Sequence, residues 1–166
     1  MNKQTIFTMT TAALAMLALS ACETTAGGTG SGNVRGSQRP VAFTWQSESD
    51  HAGDITATFN SGRVFKGEYF QITGDTHVDR LDPLWDGWET ADHHGDWRYW
   101  DADSRSDFIR AYRGRVLANL KAENGEYMRC RFTLRDPGRG MSGGGSGRCQ
   151  LSDTPREINA EFPRQS

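Results

Sequence analysis

After position 40, apolar and polar residues alternate through most of the chain. Val41, Phe43 and Trp45 share one parity, as do Ile55, Ala57 and Phe59, and Asn60-Ser61-Gly62 marks a turn before the run Arg63 to Ile72. The alternation resumes with Tyr112, Val116, Ala118 and Leu120, then with Met128, Cys130, Phe132 and Leu134. It ends with Cys149, Leu151, Ile158, Ala160 and Phe162. Successive side chains of a strand point to opposite faces, so a period of two predicts half-buried strands. Short connections favour antiparallel pairing, and the expected fold is all-β, either an antiparallel sandwich or a small barrel. No internal stretch keeps a helical period.

The turn Ala122-Glu123-Asn124-Gly125-Glu126 fixes a register. A two-residue turn would set Asn119 beside Cys130 and Arg115 beside Leu134, mixing polar groups into the apolar face. A three-residue loop with Gly125 left-handed instead pairs Leu120 with Met128, Ala118 with Cys130 and Val116 with Phe132. The second is expected, because a slip of one residue turns every side chain over.

Residues 75–107 break the alternation. This insert holds ten of the 21 acids and four of the five tryptophans; against three arginines its net charge is −7. From Phe108 onward the balance is eleven basic against six acidic residues, or +5. The predicted register puts Arg113 opposite Arg135, with Arg115, Arg129, Arg131 and Arg148 nearby, and opposed like charges destabilise a sheet. An acidic loop folded over that face would relieve the repulsion while its tryptophans covered outward apolar residues such as Leu117. The alternative is that the two charge sets are solvated on separate surfaces.

Candidate chemistry in the insert is of two kinds. Trp85, Trp88, Trp97 and Trp100 are a candidate platform for stacking sugar rings, or else the insert's own small core. Asp92, His93, His94 and Asp96 are weak candidates for metal ligands, since adjacent histidines point apart on a strand. Ser104 and Ser106 lack the surroundings of a catalytic nucleophile. No cofactor is expected. Gly138 to Gly143 satisfies G-x-G-x-x-G, but it joins two predicted strands, whereas the dinucleotide motif needs a helix N-terminus aimed at pyrophosphate. The whole chain, 166 residues with net charge −2, suits one modest domain and gives no sign of nucleic-acid binding.

The N-terminus is different in kind. Lys3 supplies a positive start, Ile6 to Leu19 is an uncharged apolar stretch too short to span a bilayer, and small residues follow, which is the grammar of a secretory signal. Leu19-Ser20-Ala21-Cys22 resembles the lipobox of bacterial lipoproteins. The resemblance implies cleavage before Cys22, a lipid on its thiol and anchoring in the cell envelope. Glu23, by the same resemblance, favours the periplasmic face of the outer membrane. A type I signal peptide with an incidental cysteine is the alternative. On this reading residues 1–21 are a signal peptide, 22–39 a flexible Gly/Ser/Thr tether, and 40–166 the β domain. An exported chain meets oxidising surroundings, so Cys130 and Cys149, inward on neighbouring strands, are expected to form a disulfide.

The blocks Gly125–Leu134, Gly140–Leu151 and Glu157–Phe162 are similar to the C-terminal part of small, uncharacterised lipoproteins of proteobacterial envelopes. That resemblance implies a shared domain and no catalytic residues. Together these readings predict a membrane-anchored envelope lipoprotein, a non-catalytic structural or interaction module. Its expected partners are the membrane itself and an envelope protein or an anionic cell-wall or lipopolysaccharide component. A glycan or small-ligand binder using the tryptophans comes second, and a metal-assisted hydrolase at Asp92 to Asp96 third.

Overall fold

The computed structural model describes residues 25–88 and 105–166. Eight strands follow one another: β1 (Gly27–Val34), β2 (Pro40–Ser47), β3 (Ala52–Phe59), β4 (Val64–Gln71), β5 (Arg115–Ala122), β6 (Tyr127–Leu134), β7 (Gly145–Leu151) and β8 (Thr154–Phe162). Each pairs antiparallel with the next, and β8 pairs with β1, so the sheet is a closed barrel. Of the two predicted architectures, the barrel is the one formed. Closure removes the free edges that a sandwich would have to protect.

The predicted parity holds on β2, β3 and β5 to β8, and β4 adds its own inward side chains. Phe43, Ile55, Ala57, Phe65, Val116, Ala118, Leu120, Met128, Phe132, Ile158 and Phe162 are buried inside the barrel. Phe43 meets Phe132 and Phe162 with ring centroids 6.4 and 5.6 Å apart, and Phe132 meets Phe162 at 4.8 Å, so the interior is filled with side chains. The hairpin register is the three-residue one, with Leu120 opposite Met128, Ala118 opposite Cys130, Val116 opposite Phe132, and Gly125 at φ 85°. Cys130 lies opposite Cys149 on β7 and the two are disulfide-bonded, both fully buried.

The tether reading of residues 22–39 is corrected by β1. Gly28, Gly30, Gly32 and Val34 take the inward parity of that strand, and Thr29, Ser31 and Asn33 the outward one. The inward residues are glycines because large rings already occupy the space. A methyl carbon at Gly30 would lie 2.5 Å from Cδ1 of Phe162, and one at Gly32 2.9 Å from Cε2 of Phe43 and 2.7 Å from the Asn159 carbonyl oxygen. The glycines of β1 thus complete the packing of its neighbours. Pairing to β2 begins at Gly27 opposite Gln46, and the Ser47 N–H donates to the Ala26 carbonyl at 2.7 Å.

Two further expectations are corrected between β4 and β5. Arg105–Tyr112 is an α-helix, α1, so Tyr112 belongs to it and not to a strand. Phe108 and Tyr112, four apart, share its buried side. Gly114, at φ 78°, breaks the chain's course before β5 starts at Arg115, so Arg113 lies outside the ladder and is not opposite Arg135. Arg135 pairs with Glu161 at 2.6 Å instead.

The meander sorts the connections to two ends. The end at which β1 begins gathers residues 48–51, the long β4–β5 connection, residues 135–144 and the C-terminal residues 163–166. There a short 3-10 segment, Pro137–Gly143, buries Met141, and the Gln71 side-chain amide donates to the Pro137 carbonyl at 2.9 Å. The opposite end carries the turns after β1, β3, β5 and β7. Arg63 ties three of them together, donating to Glu126 at 2.6 Å and Asp153 at 3.0 Å with its guanidinium over the rings of Phe59 and Phe65.

Candidate functional site

The wall formed by β5 and β6 is covered on its outside by the first part of the insert. Leu117 has the outward parity of β5 yet is fully buried, because two short 3-10 turns, Val78–Arg80 and Asp82–Trp85, and α1 close over it. Leu81, Leu84, Ile72, Phe108 and Tyr112 join Leu117 in a second apolar cluster outside the barrel. The Trp85 ring lies 4.9 Å from that of Phe108, which lies 4.9 Å from that of Tyr112. A strand with apolar residues on both parities is one buried on both faces, and the sequence Arg115-Val116-Leu117-Ala118 carries that signal.

Asn119, the next outward residue, is a clamp that the sequence reading missed. Its carbonyl oxygen accepts the Trp88 indole N–H at 2.9 Å, and its amide donates to the Pro83 and Asp86 carbonyls, both at 2.9 Å. These bonds replace water for backbone groups that strand and helix ladders leave unpaired. An uncharged amide on an outward parity, next to an outward leucine, is the trace it leaves in the sequence.

Arg129 stands opposite Asn119 on β6 and is fully buried. Its Nε and Nη2 donate to Oε1 of Gln150 at 3.1 and 2.8 Å, and the Trp88 ring covers its guanidinium at 4.2 Å. A desolvated guanidinium on an indole face gains about 2 kcal/mol or more. Residues 81–88 of the insert are thus docked on the wall, held there by the apolar cluster around Leu117, the Asn119 amide and the Trp88–Arg129 contact. Gly87 at φ 77° passes so close to Tyr127 that a Cβ there would overlap its ring. Residues 75–88 therefore run along the wall from the β1-start end toward the opposite rim.

Beside the covered strip lies an open polar groove of about 800 Å³, bounded by the outward faces of β1 and β5 to β8. Its cations are Arg115, Arg131 and Arg148. Arg131 and Arg148 are direct cross-strand partners, and Arg148 is paired with Asn159 on its other side. Arg115, Thr133, Ser146 and Glu161 form the adjacent row across the sheet. Arg148 donates to Glu157 at 3.2 Å, a carboxylate that also receives Arg35 at 3.4 Å. Three guanidinium groups among hydroxyls, amides and the Glu161 carboxylate, with Arg148 already bonded to Glu157, are chemistry for recognising phosphate or carboxylate oxygens, which planar guanidinium forks bind in pairs.

Of the tryptophans nominated for ligand stacking, Trp88 is 3% exposed and spent on Arg129 and Asn119, which corrects its assignment as an open platform. Trp85 is packed on Phe108 in the outer cluster. Trp97, Trp100, Asp92, His93, His94, Asp96 and Cys22 lie outside the described residues. Among the described residues no group of three His, Cys, Asp or Glu side chains converges as a metal site would require. At the barrel's β1-start end, burial raises the Tyr69 phenol above its ordinary pKa of 10.0, against the lowering effect of a 2.8 Å hydrogen bond with Ser47.

No protein-family model matches the chain, and no curated protein does. Among solved structures it is similar to a redesigned β-barrel, mFAP1, bound to DFHBI, at 12% identity and TM-score 0.44, covering 82% of this chain and 92% of that one. A de novo designed fluorescence-activating β-barrel matches at 11% identity and TM-score 0.44, over 84% of this chain and 91% of its own. EF1p2_mFAP2b bound to DFHBI matches at 9% identity and TM-score 0.46, over 84% and 91%.

Proposed function

We propose that this chain is a lipid-anchored envelope protein, acylated at Cys22 on the periplasmic face of the outer membrane, whose barrel is a non-catalytic interaction module. The barrel is not itself the anchor: its wall presents Thr29, Ser31, Asn33, Thr44, Lys66, Arg131 and Arg148 outward and packs its apolar side chains inside, the reverse of a lipid-spanning barrel. Lipid on Cys22 supplies the attachment instead; two or three acyl chains hold stably where one is marginal.

The observation that carries the module reading is the filled interior beside the arginine-bearing outer groove. Binding falls to the outside of the wall, and Arg115, Arg131 and Arg148 suit anionic cell-wall or lipopolysaccharide groups or an acidic protein face. A photo-crosslinking residue in place of Asn159, in the groove, is expected to capture an envelope component in intact cells, and one at Thr58, exposed on β3 and away from the groove, is not. Equal yield from both positions would contradict a groove-centred contact. Cys22→Ser is expected to release the protein from membranes, and an unchanged envelope fraction would contradict the anchor.

A further inference from the structure

We infer that the end of the barrel at which β1 begins rests on the phospholipid headgroup surface, and that the opposite end faces away from the membrane. The inference rests on acylation of Cys22.

Order in the wall begins at Ala26, whose carbonyl accepts the Ser47 N–H, and at Gly27, paired with Gln46. Four residue steps separate Cys22 from Ala26, and a fully extended chain spans at most about 3.6 Å per step, so the reach is about 14 Å. Eight-residue strands rising about 3.3 Å per residue and tilted about 40° make a wall about 20 Å tall. With so short a leash, the rim nearest Ala26 stays within about 14 Å of the bilayer surface, and an inverted barrel, which would lift Ala26 by the wall's height of about 20 Å, is out of reach. A tether running to residue 39 would have imposed no such orientation.

The chemistry of the rim fits headgroups that carry both charges. Around Thr25 and Ala26 lies a recess of about 450 Å³ lined by Glu48, Asp50, Arg139 and Ser142 among others. Two carboxylates and a guanidinium, whose Nη2 donates to the Gln165 carbonyl at 3.0 Å, match the ammonium and phosphate of a zwitterionic phospholipid. The same rim is closed by Met141 and the Gln71–Pro137 hydrogen bond, so a packed surface and not a pore meets the lipid.

The test uses the acylated full chain reconstituted into phosphatidylcholine vesicles that carry an energy-transfer acceptor on a small fraction of headgroups. A donor dye is placed at the near rim through Ser166→Cys, exposed and outside the recess, or at the far rim through Glu123→Cys. Transfer is expected to be several-fold greater from position 166. Inserting a long Gly/Ser segment between Thr25 and Ala26 is expected to lower transfer from position 166 and bring the two together. Equal transfer with the native spacer would overturn the orientation while leaving the anchor standing. Vesicle flotation that does not depend on Cys22, judged with Cys22→Ser, would overturn the anchor and the orientation with it.

Discussion

The Trp88 ring covers Arg129, its centroid 4.2 Å from the guanidinium carbon, and both side chains are almost completely buried. One comes from the acidic insert and the other from the outward face of β6, so this pair is the point at which insert and barrel become one folding unit. A buried cation needs compensation, and here the indole face and the Gln150 carbonyl supply it.

Trp88→Ala is therefore expected to destabilise the whole domain by about 3 kcal/mol, the loss of a buried aromatic plus the cover over a charge. Denaturant unfolding checks this. A shift of a few tenths would mean that residues 81–88 are only loosely applied to the wall.

Gly32→Val separates the strand from the tether. Its branches would press on the Phe43 ring and the Asn159 carbonyl, and overpacking of this kind costs about 1–3 kcal/mol or more. Thr29→Val, on the outward parity of the same strand, is expected to be near neutral. Thermal unfolding of the two variants would contradict a structural β1 if they melted together with the parent chain.

How much of this was legible follows from which atoms carry the signal. Parity and register on β5 and β6 were readable because Val116, Leu120, Met128 and Phe132 each declare a face, and Gly125 declares the turn. β1 was not readable in the same way: its inward residues declare themselves by lacking side chains, and Gly-Thr-Gly-Ser-Gly has the composition of a linker even though glycine and polar residues alternate strictly until Val34. Closure into a barrel depends on that strand, so the sandwich alternative stayed open. α1 was hidden because Tyr112 falls on the same parity as Val116, while its real partner is Phe108. Leu117 pointed correctly to a cover over the wall, but Asn119 offers only polarity, and its role depends on carbonyls contributed from distant Pro83 and Asp86.

The Cys130–Cys149 bond closes a separation of 19 residues and lies wholly inside the barrel. On the chain-entropy model it contributes about 3 kcal/mol by restricting the unfolded chain. Reductant alone is expected to leave it intact in the native protein, and thiol titration should detect two additional groups only when reductant and denaturant are combined. Rapid reduction without denaturant would show that β6 and β7 open readily.

Alkaline pH should weaken the domain through Tyr69. Burial favours its neutral phenol, so the folded-state pKa lies above the unfolded value near 10.0. The associated stability is fully present below that pH and is lost as pH rises through the folded-state value. Tyr69→Phe is expected to remove this part of the alkaline loss, while leaving the Ser47 hydroxyl without its 2.8 Å partner at neutral pH. Melting temperatures followed from neutral to strongly alkaline pH check the sign, and an identical alkaline decline in both proteins would contradict it.

Covalent lipid at the Cys22 sulfur underlies both the anchor and the orientation, and the intact mass of the protein extracted from envelopes tests it directly. The predicted species begins at Cys22, carries diacylglyceryl and N-acyl groups, and is two hydrogens lighter for the Cys130–Cys149 bond. A species that still begins at Met1, without acyl groups and with three free thiols, would contradict it.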